Sequence, residues 1–357
     1  MKKKIFLIVS SIQKGGTQKI ILDLFNYWKV KGHNVKIITF DKKINSKVKK
    51  SLINLELQNT SKNLFQAMFN NLKRIYELRK VIKKKQHSHI FSFISTTNIL
   101  AIISNIGLKN NLIISERNDP ELQNIGKIWV ILRKILYRYA DKVTANSKKA
   151  CKYLENFVPK KKIFFIPNHI FFYKSKKKLK KEKILLAIGR LHYQKGFDTL
   201  IDSFSLSKVY KFGWKLVILG KGPEEKFLKK KVKNLKLVNK VLFKGFKDPM
   251  PWYKKSKIFV LSSRYEGTPN VLLEAVSMRL PTIITNSCYG AKYYLKNNIS
   301  TLEVPVNNSE ALSRLILKLV NNNNLQKKIS NEAYKKIKKL ANYKKIFRMW
   351  DFFLKEI

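Results

Sequence analysis

The chain has 357 residues, 45% of them hydrophobic, enough apolar material for two folded domains, which excludes disorder or a coiled coil for the whole. Its charge is lopsided: 75 Lys+Arg against 22 Asp+Glu gives a formal +53 at pH 7, and such an excess draws a surface toward nucleic acid, anionic lipid or phosphorylated substrates. Compositional drift produces the same excess, since Lys, Asn and Ile are all abundant, so charge alone assigns no partner.

The chain opens MKKKIFLIVSSIQKGG. Its apolar run at 5–9 is shorter than the ~7–15 residue core of a secretory leader, and Gly15-Gly16 follows in place of a cleavage site. A first strand is therefore expected there. Further strands are expected at 35–40, 90–94, 112–115 and 142–145, alternating with helices at 17–31, 64–85, 98–106 and 127–140. Unbroken runs of Ile, Leu, Val and Phe mark strands covered on both faces, and the βα alternation predicts a doubly wound parallel sheet. The uncharged stretch 90–108 approaches transmembrane length, but Ser92, Ser95, Thr96, Thr97, Asn98, Ser104 and Asn105 interrupt it. It reads as a strand followed by a buried helix.

Two of the expected helices are basic. Stretch 64–85 carries Lys73, Arg74, Arg79, Lys80, Lys83, Lys84 and Lys85. In 127–140, Lys127, Lys134 and Arg138 form one stripe beside Trp129 and Tyr137. Such helices either lie on an anionic membrane surface, held there electrostatically, or are half-buried helices with solvated lysines.

The charge run KSKKKLKKEK then breaks the pattern and reads as an exposed linker. A second α/β series follows, with strands at 184–188, 215–219, 241–243, 258–261 and 282–285. Its helices are expected at 197–207, 224–235, from Pro269, and at 310–321. The expected division is an N-terminal Rossmann-like domain 1–172, a linker 173–183 and a C-terminal Rossmann-like domain 184–342. A last aromatic-rich helix, 343–357, is expected to pack back on the first domain. Cys151 and Cys288 are too far apart in sequence to suggest a disulfide or a metal site, and five histidines (His33, His87, His89, His169, His192) lack ligand spacing.

The chemistry concentrates in the second series. In LSSRYEGTPNVLLEAVSMRLP, Thr268 is a favoured cap and Pro269 a favoured first helical residue, so a helix should start at Pro269. The free N–H groups near Asn270 and Val271 would then form an anion site at the C-terminal edge of the sheet. Glu266 and Glu274 bracket this turn, placed to accept hydroxyls at the two ends of a ligand, or else to stand as surface glutamates. In AIGRLHYQKGFDTLI, Arg190 and Lys195 put two cations on a strand-to-helix loop, suited to a diphosphate. Gly15-Gly16, and Gly220 with Gly222 in LVILGKGPEEKF, are loops where backbone can approach a phosphate or simply turn.

Together these segments, with VLFKGF, resemble the family-four glycosyltransferases, retaining nucleotide-sugar transferases of the GT-B fold. SFISTTNI and LIISERNDP look more like members that extend undecaprenyl-diphosphate-linked oligosaccharides, including N-acetylgalactosaminyltransferases. The resemblance implies two Rossmann-like domains facing a cleft and a nucleotide-sugar donor, UDP-linked, without a metal or other cofactor. The implied acceptor is a polyprenyl-diphosphate-linked glycan or another surface-glycan precursor. By position, Arg190 and Lys195 would hold the donor diphosphate and Glu266 the donor sugar, these three being the catalytic candidates. Asn270 and Val271 would offer main-chain donors, Glu274 would take the ribose, and Gly15 and Gly16 would approach the phosphates. The implied location is cytoplasmic and peripheral on the inner face of the membrane, with an anionic membrane surface as a partner and no nucleic acid. Many relatives carry a His where SERNDP has Arg117, so Glu116, Arg117 and Asn118 are the acceptor-side candidates. Tyr293 replaces a common glutamate, Arg279 a common glycine, and ISTLEVPV departs from the usual glycine-rich return. Two other readings stand beside this one: a nucleotide-sugar epimerase of the same fold, and a basic nucleic-acid-binding protein.

Overall fold

The computed structural model describes residues 2–12, 16–41, 49–57, 63–172 and 180–355. The chain divides into two compact units, Met1–Asn168 with Lys344–Ile357, and His169–Tyr343. Most of the expected linker, residues 173–179, lies outside the described residues, as does Gly15.

The first unit runs β1 (Lys4–Val9), α1 (Gly16–Val30), β2 (Asn34–Thr39), β3 (Leu52–Asn54), α2 (Leu64–Lys83), β4 (His89–Phe93) and α3 (Ser95–Asn105). It continues with β5 (Asn111–Glu116), α4 (Lys127–Leu136), β6 (Lys142–Ala145), α5 (Lys148–Leu154) and β7 (Ile163–Phe165). All seven strands are parallel, in the order β3-β2-β1-β4-β5-β6-β7. Because helices cover the sheet, β1 and β4 are buried almost throughout, which explains their unalternated apolar sequence.

The second unit runs β8 (Ile184–Ile188), α6 (Phe197–Ser207), β9 (Lys215–Leu219), α7 (Glu225–Asn234), β10 (Val241–Phe243) and α8 (Met250–Lys255). Then follow β11 (Ile258–Leu261), α9 (Asn270–Ser277), β12 (Thr282–Thr285), β13 (Leu302–Val304), α10 (Ser309–Val320) and α11 (Asn323–Leu340). Its six strands are parallel, ordered β10-β9-β8-β11-β12-β13, with an apolar cluster on each face. The order reverses between β8 and β11. Doubly wound sheets take ligands beyond the strand ends at such a switch point.

A last helix, α12 (Tyr343–Asp351), belongs from Lys344 onward to the first unit. Phe347 and Trp350 bury against Tyr27, Phe91 and Phe93. The Asp351 carboxylate accepts from Tyr27 Oη at 2.7 Å, Trp28 Nε1 at 2.9 Å and Lys31 Nζ at 2.5 Å. The first unit is thus closed by a segment that follows the whole second unit in sequence, which gives that terminal aromatic run its purpose.

The structure adds elements that periodicity missed. β3, β7 and β13 have three residues each, too few to show an alternation. α3 begins at Ser95 rather than 98 because Ile94 turns the chain out of β4 at φ 80°, a conformation unusual for a β-branched residue. Among the described residues, no helix is long and apolar enough to cross a membrane.

Candidate active site

The two loops at the switch point of the second sheet carry the residues singled out in sequence. After β8 comes Gly189-Arg190, then a 3-10 turn over Tyr193–Lys195, then Gly196 opening α6. After β11 come Ser262 to Thr268, leading to α9. Lys195 Nζ and the Glu266 carboxylate form an ion pair, with side chains 18% and 9% exposed. Ser263 Oγ donates to the same Glu266 oxygen at 3.0 Å. An ion pair this enclosed needs good geometry to offset desolvation, so the serine and the pairing hold both groups in one place.

The loops are stitched along their length. Ser262 Oγ donates to Lys195 O at 2.9 Å, Arg264 N to Gln194 O at 2.7 Å, and Gln194 Nε2 to Tyr265 O at 3.0 Å. Arg264 bonds Asp198 at 2.6 Å and stacks its guanidinium 3.9 Å over the Tyr193 ring. Burial works to raise the Asp198 pKa, but the Arg264 partner outweighs it and holds the carboxyl below its usual value. His192 is part of this frame: its Nδ1 accepts from Gln194 N at 3.2 Å and caps the turn before Lys195.

Two glycines explain how closely the loops pack. Gly196 has φ 59°, and a Cβ there would sit 2.2 Å from Ser262 O. Gly220, after β9, has φ 144°, and a Cβ there would sit 1.8 Å from Gly189 O. Neither position admits a side chain without moving the backbone that carries Arg190 or Lys195. Arg190 itself is exposed and makes no hydrogen bond or ion pair among the described residues.

The helix after Glu266 starts one residue later than expected. Pro269 has ψ 117° and stands as the cap, with Asn270 the first helical residue. Proline fixes φ but leaves ψ free, and here an extended ψ prevails. Thr268 does not cap the helix in the expected way; it is buried where a Cβ on Gly290 would lie 2.0 Å from its Oγ1. Asn270 and Val271 still form the first turn of α9, next to Glu266 in sequence. Glu274 lies one turn further in. The buried Tyr253 hydroxyl sits 3.0 Å from its Oε2 and 3.1 Å from Val271 O, tying the first turn to the carboxylate. Burial, then the Glu274 charge, pushes the Tyr253 pKa well above its usual value, so it remains a donor.

Sequence reasoning missed Ser263, Arg264, Asp198 and Tyr253. Arg264 could have been noticed two residues before Glu266, but its partner Asp198 lies in the first turn of α6, far away in sequence. Cys288 bridges to Glu266 through its backbone, and burial, then the Glu266 charge, pushes its thiol up to about 12, so it is inert as a nucleophile. Arg279 has φ 56° at the end of α9, the left-handed turn that glycine favours.

In the first unit, Gly16 opens α1. Glu116 ends β5 and is 1% exposed: Tyr137 Oη donates to Oε1, and Ser95 Oγ donates to Oε2 at 2.9 Å. Burial pushes its carboxyl up, opposed by Tyr137, Arg133 and Ser95. Glu116 therefore faces its own network. Arg117 is half-buried, bonded to Asn168 Oδ1 at 3.1 Å, with its guanidinium 5.0 Å from the Trp350 ring of α12. Asn118 is half-buried beside it and turns its Oδ1 to Asp119 N at 3.0 Å.

Residues 170–336 match the model of the glycosyl transferases of group 1, and residues 14–170 match that of glycosyltransferase family 4. A Campylobacter jejuni alpha-1,4-N-acetyl-D-galactosaminyltransferase, named for a GalNAc-GalNAc-diNAcBac-PP-undecaprenol acceptor, is 32% identical over 346 residues, 94% of either chain. The chain belongs to the family-four glycosyltransferases. A second Campylobacter jejuni enzyme, a 4-alpha-N-acetylgalactosaminyltransferase named for an N-acetylgalactosamine-N,N'-diacetylbacillosaminyl-diphospho-undecaprenol acceptor, is 26% identical across 93% of this chain and 94% of its own. The Anabaena protein HepE, solved with UDP and glucose, superposes over 99% of this chain and 100% of its own at TM-score 0.85 and 15% identity, a likeness of fold. This glycosyltransferase is thus a two-domain α/β protein of the GT-B fold.

Proposed function

We propose that this glycosyltransferase moves a hexose or N-acetylhexosamine from a UDP-linked sugar to a lipid-linked oligosaccharide or surface-polysaccharide precursor, with retention of configuration. One observation carries the reading: Lys195 and Glu266 are paired at the switch point, with Arg190 exposed on the same loop as Lys195. The acceptors named for the two Campylobacter jejuni relatives, and the UDP and glucose bound to HepE, support the substrate classes.

In this reading Arg190 meets the donor diphosphate first, and Lys195 turns from the Glu266 carboxylate to a phosphoryl oxygen. That exchange frees the Glu266 oxygen for a hydroxyl of the donor sugar. The N–H groups of Asn270 and Val271 add the positive end of α9, and Glu274 takes the ribose hydroxyls. The bond from C1 to the diphosphate breaks with its electron pair leaving on the phosphoryl oxygen. The acceptor hydroxyl bonds C1 on the face the diphosphate leaves, and its proton passes to the departing oxygen. Fixed cations stabilise the charge that develops there, so the reading requires neither an enzyme nucleophile nor a metal ion. The nucleotide sugar puts the reaction in the cytoplasm, and the lipid-borne acceptor puts it at the inner face of the membrane.

The test is nucleoside diphosphate release from a panel of UDP-, GDP- and ADP-sugars with a lipid-linked acceptor. Glu266→Ala is expected to lower turnover by about 10²–10³-fold, and Arg190→Ala to weaken donor binding about tenfold. Wild-type rates in both variants would remove these assignments.

A further inference from the structure

Two helices of the first unit turn apolar side chains outward. On α2, Phe65, Met68, Phe69, Leu72 and Tyr76 follow one helical stripe; on α4 and the turn after it, Ile128, Ile131, Ile135 and Tyr139 follow another. All nine side chains are between 51% and 81% exposed. Both helices also keep an inward apolar side, as half-buried helices do, with Ile75 and Val81 of α2 and Trp129, Leu132 and Leu136 of α4 packed on the core. The outward stripes are therefore apolar surface beyond what that packing uses. The inward faces are filled by other residues: Leu78 and Ile82 on α2, and Arg133 and Tyr137 at α4, all buried. Both helices pack on α3, and residues of all three share the apolar cluster over one face of the sheet. The two outward stripes therefore lie on the same side of the first unit.

Cations stand among the exposed apolar residues. Lys127, Lys134 and Arg138 are exposed between the isoleucines, and Lys73, Lys80 and Lys83 are exposed along α2. α4 contains no acidic residue and α2 only Glu77. Arg74 and Arg79 are turned to backbone carbonyls at Leu57, Ser104 and Ile106, which leaves the lysines as the outward charge of α2. A second copy of this chain would meet the same cations and be repelled by a formal +53. An anionic bilayer complements both features: headgroups attract each cation by roughly 1 kcal/mol, and apolar side chains enter the boundary beneath them.

We propose that the outer faces of α2 and α4 form a lipid-docking surface that binds anionic bilayers by inserting apolar side chains, and not by charge alone. The proposal deepens the reading of a lipid-borne acceptor, on which its place in function rests. The full chain is floated with vesicles of phosphatidylcholine alone and of phosphatidylcholine with phosphatidylglycerol, at low salt and at about 0.5 M NaCl, where surface charge is largely screened. Wild type is expected to float with the anionic vesicles and to keep part of that binding at high salt. The variant Ile128→Ser/Ile131→Ser/Ile135→Ser should bind at least about tenfold more weakly and lose the salt-resistant part. Lys127→Glu/Lys134→Glu/Arg138→Glu should lose the preference for anionic lipid. Circular dichroism melting of each variant checks that these exposed changes leave the fold intact. Wild type left unbound by anionic vesicles, or a serine variant that floats like wild type, overturns the proposal. So does a wild-type dimer in sedimentation velocity that the serine variant abolishes. Vesicle binding needs no turnover: a protein that floats but releases no nucleoside diphosphate would keep the docking surface and lose the proposed donor and acceptor classes.

Discussion

The two units share one architecture but build the loops beyond their strand ends differently. In the second unit those loops are drawn together by main-chain contact: Gly196 lies under Ser262 O, Gly220 under Gly189 O, and Lys195 is paired across to Glu266. In the first unit the end of β5, the strand next to β4, is closed by side chains. Glu116 is covered by Ser95 and Tyr137, and Arg117 is set against Asn168 and Trp350. On the proposed reading a diphosphate would use the backbone approach and fixed cations of the second unit, whereas the first unit spends its polar residues on shaping itself and turns its unusual surface outward on α2 and α4.

That contrast can be broken experimentally. The largest effect is expected from Gly220→Ala, whose Cβ must displace Gly189 and with it Arg190. A shift of about 1 Å there should lower turnover about a hundredfold, read as nucleoside diphosphate release. An equal loss without any change in donor affinity would mean that this loop does not hold the donor.

Next in size is an acid effect confined to the first unit. His89 in β4 is 1% exposed, and burial followed by the Lys3 charge lowers its pKa from 6.5 to about 4. The folded state therefore binds fewer protons than the unfolded one between these values, and stability falls as pH drops through that window. The loss should reach about 3 kcal/mol by pH 4, and His89→Gln should flatten that part of the melting curve against pH. Asp351→Ala removes the acceptor of Tyr27, Trp28 and Lys31 and should cost about 2 kcal/mol, seen as a lower midpoint in urea. If donor affinity follows that loss of stability, the units do not act separately. The smallest effect is expected at the exposed Glu310–Arg314 pair of α10, 3.9 Å apart, where Arg314→Ala should change stability by less than about 0.5 kcal/mol.

The loops of the proposed donor site were legible because their features are local. Glycines at forced backbone positions, cations on one loop and a carboxylate before a helix all fall within short stretches, so Arg190, Lys195 and Glu266 could be named from spacing and family pattern together. The surroundings of the acceptor-side candidates were less legible. Glu116, Arg117 and Asn118 are adjacent in sequence, yet one is enclosed and the other two half-buried, because their partners Tyr137, Trp350 and Asn168 come from distant segments.

By itself, the sequence determined two parallel α/β series, their principal strands and the cationic loop, since apolar runs and turn residues act over a few positions. Only the tertiary structure decided which residues of the first unit receive the last helix, that Pro269 rather than Thr268 caps α9, and that the isoleucines of α4 face outward. Each of these depends on which distant surface competes for a side chain, and periodicity along a chain carries no record of that competition.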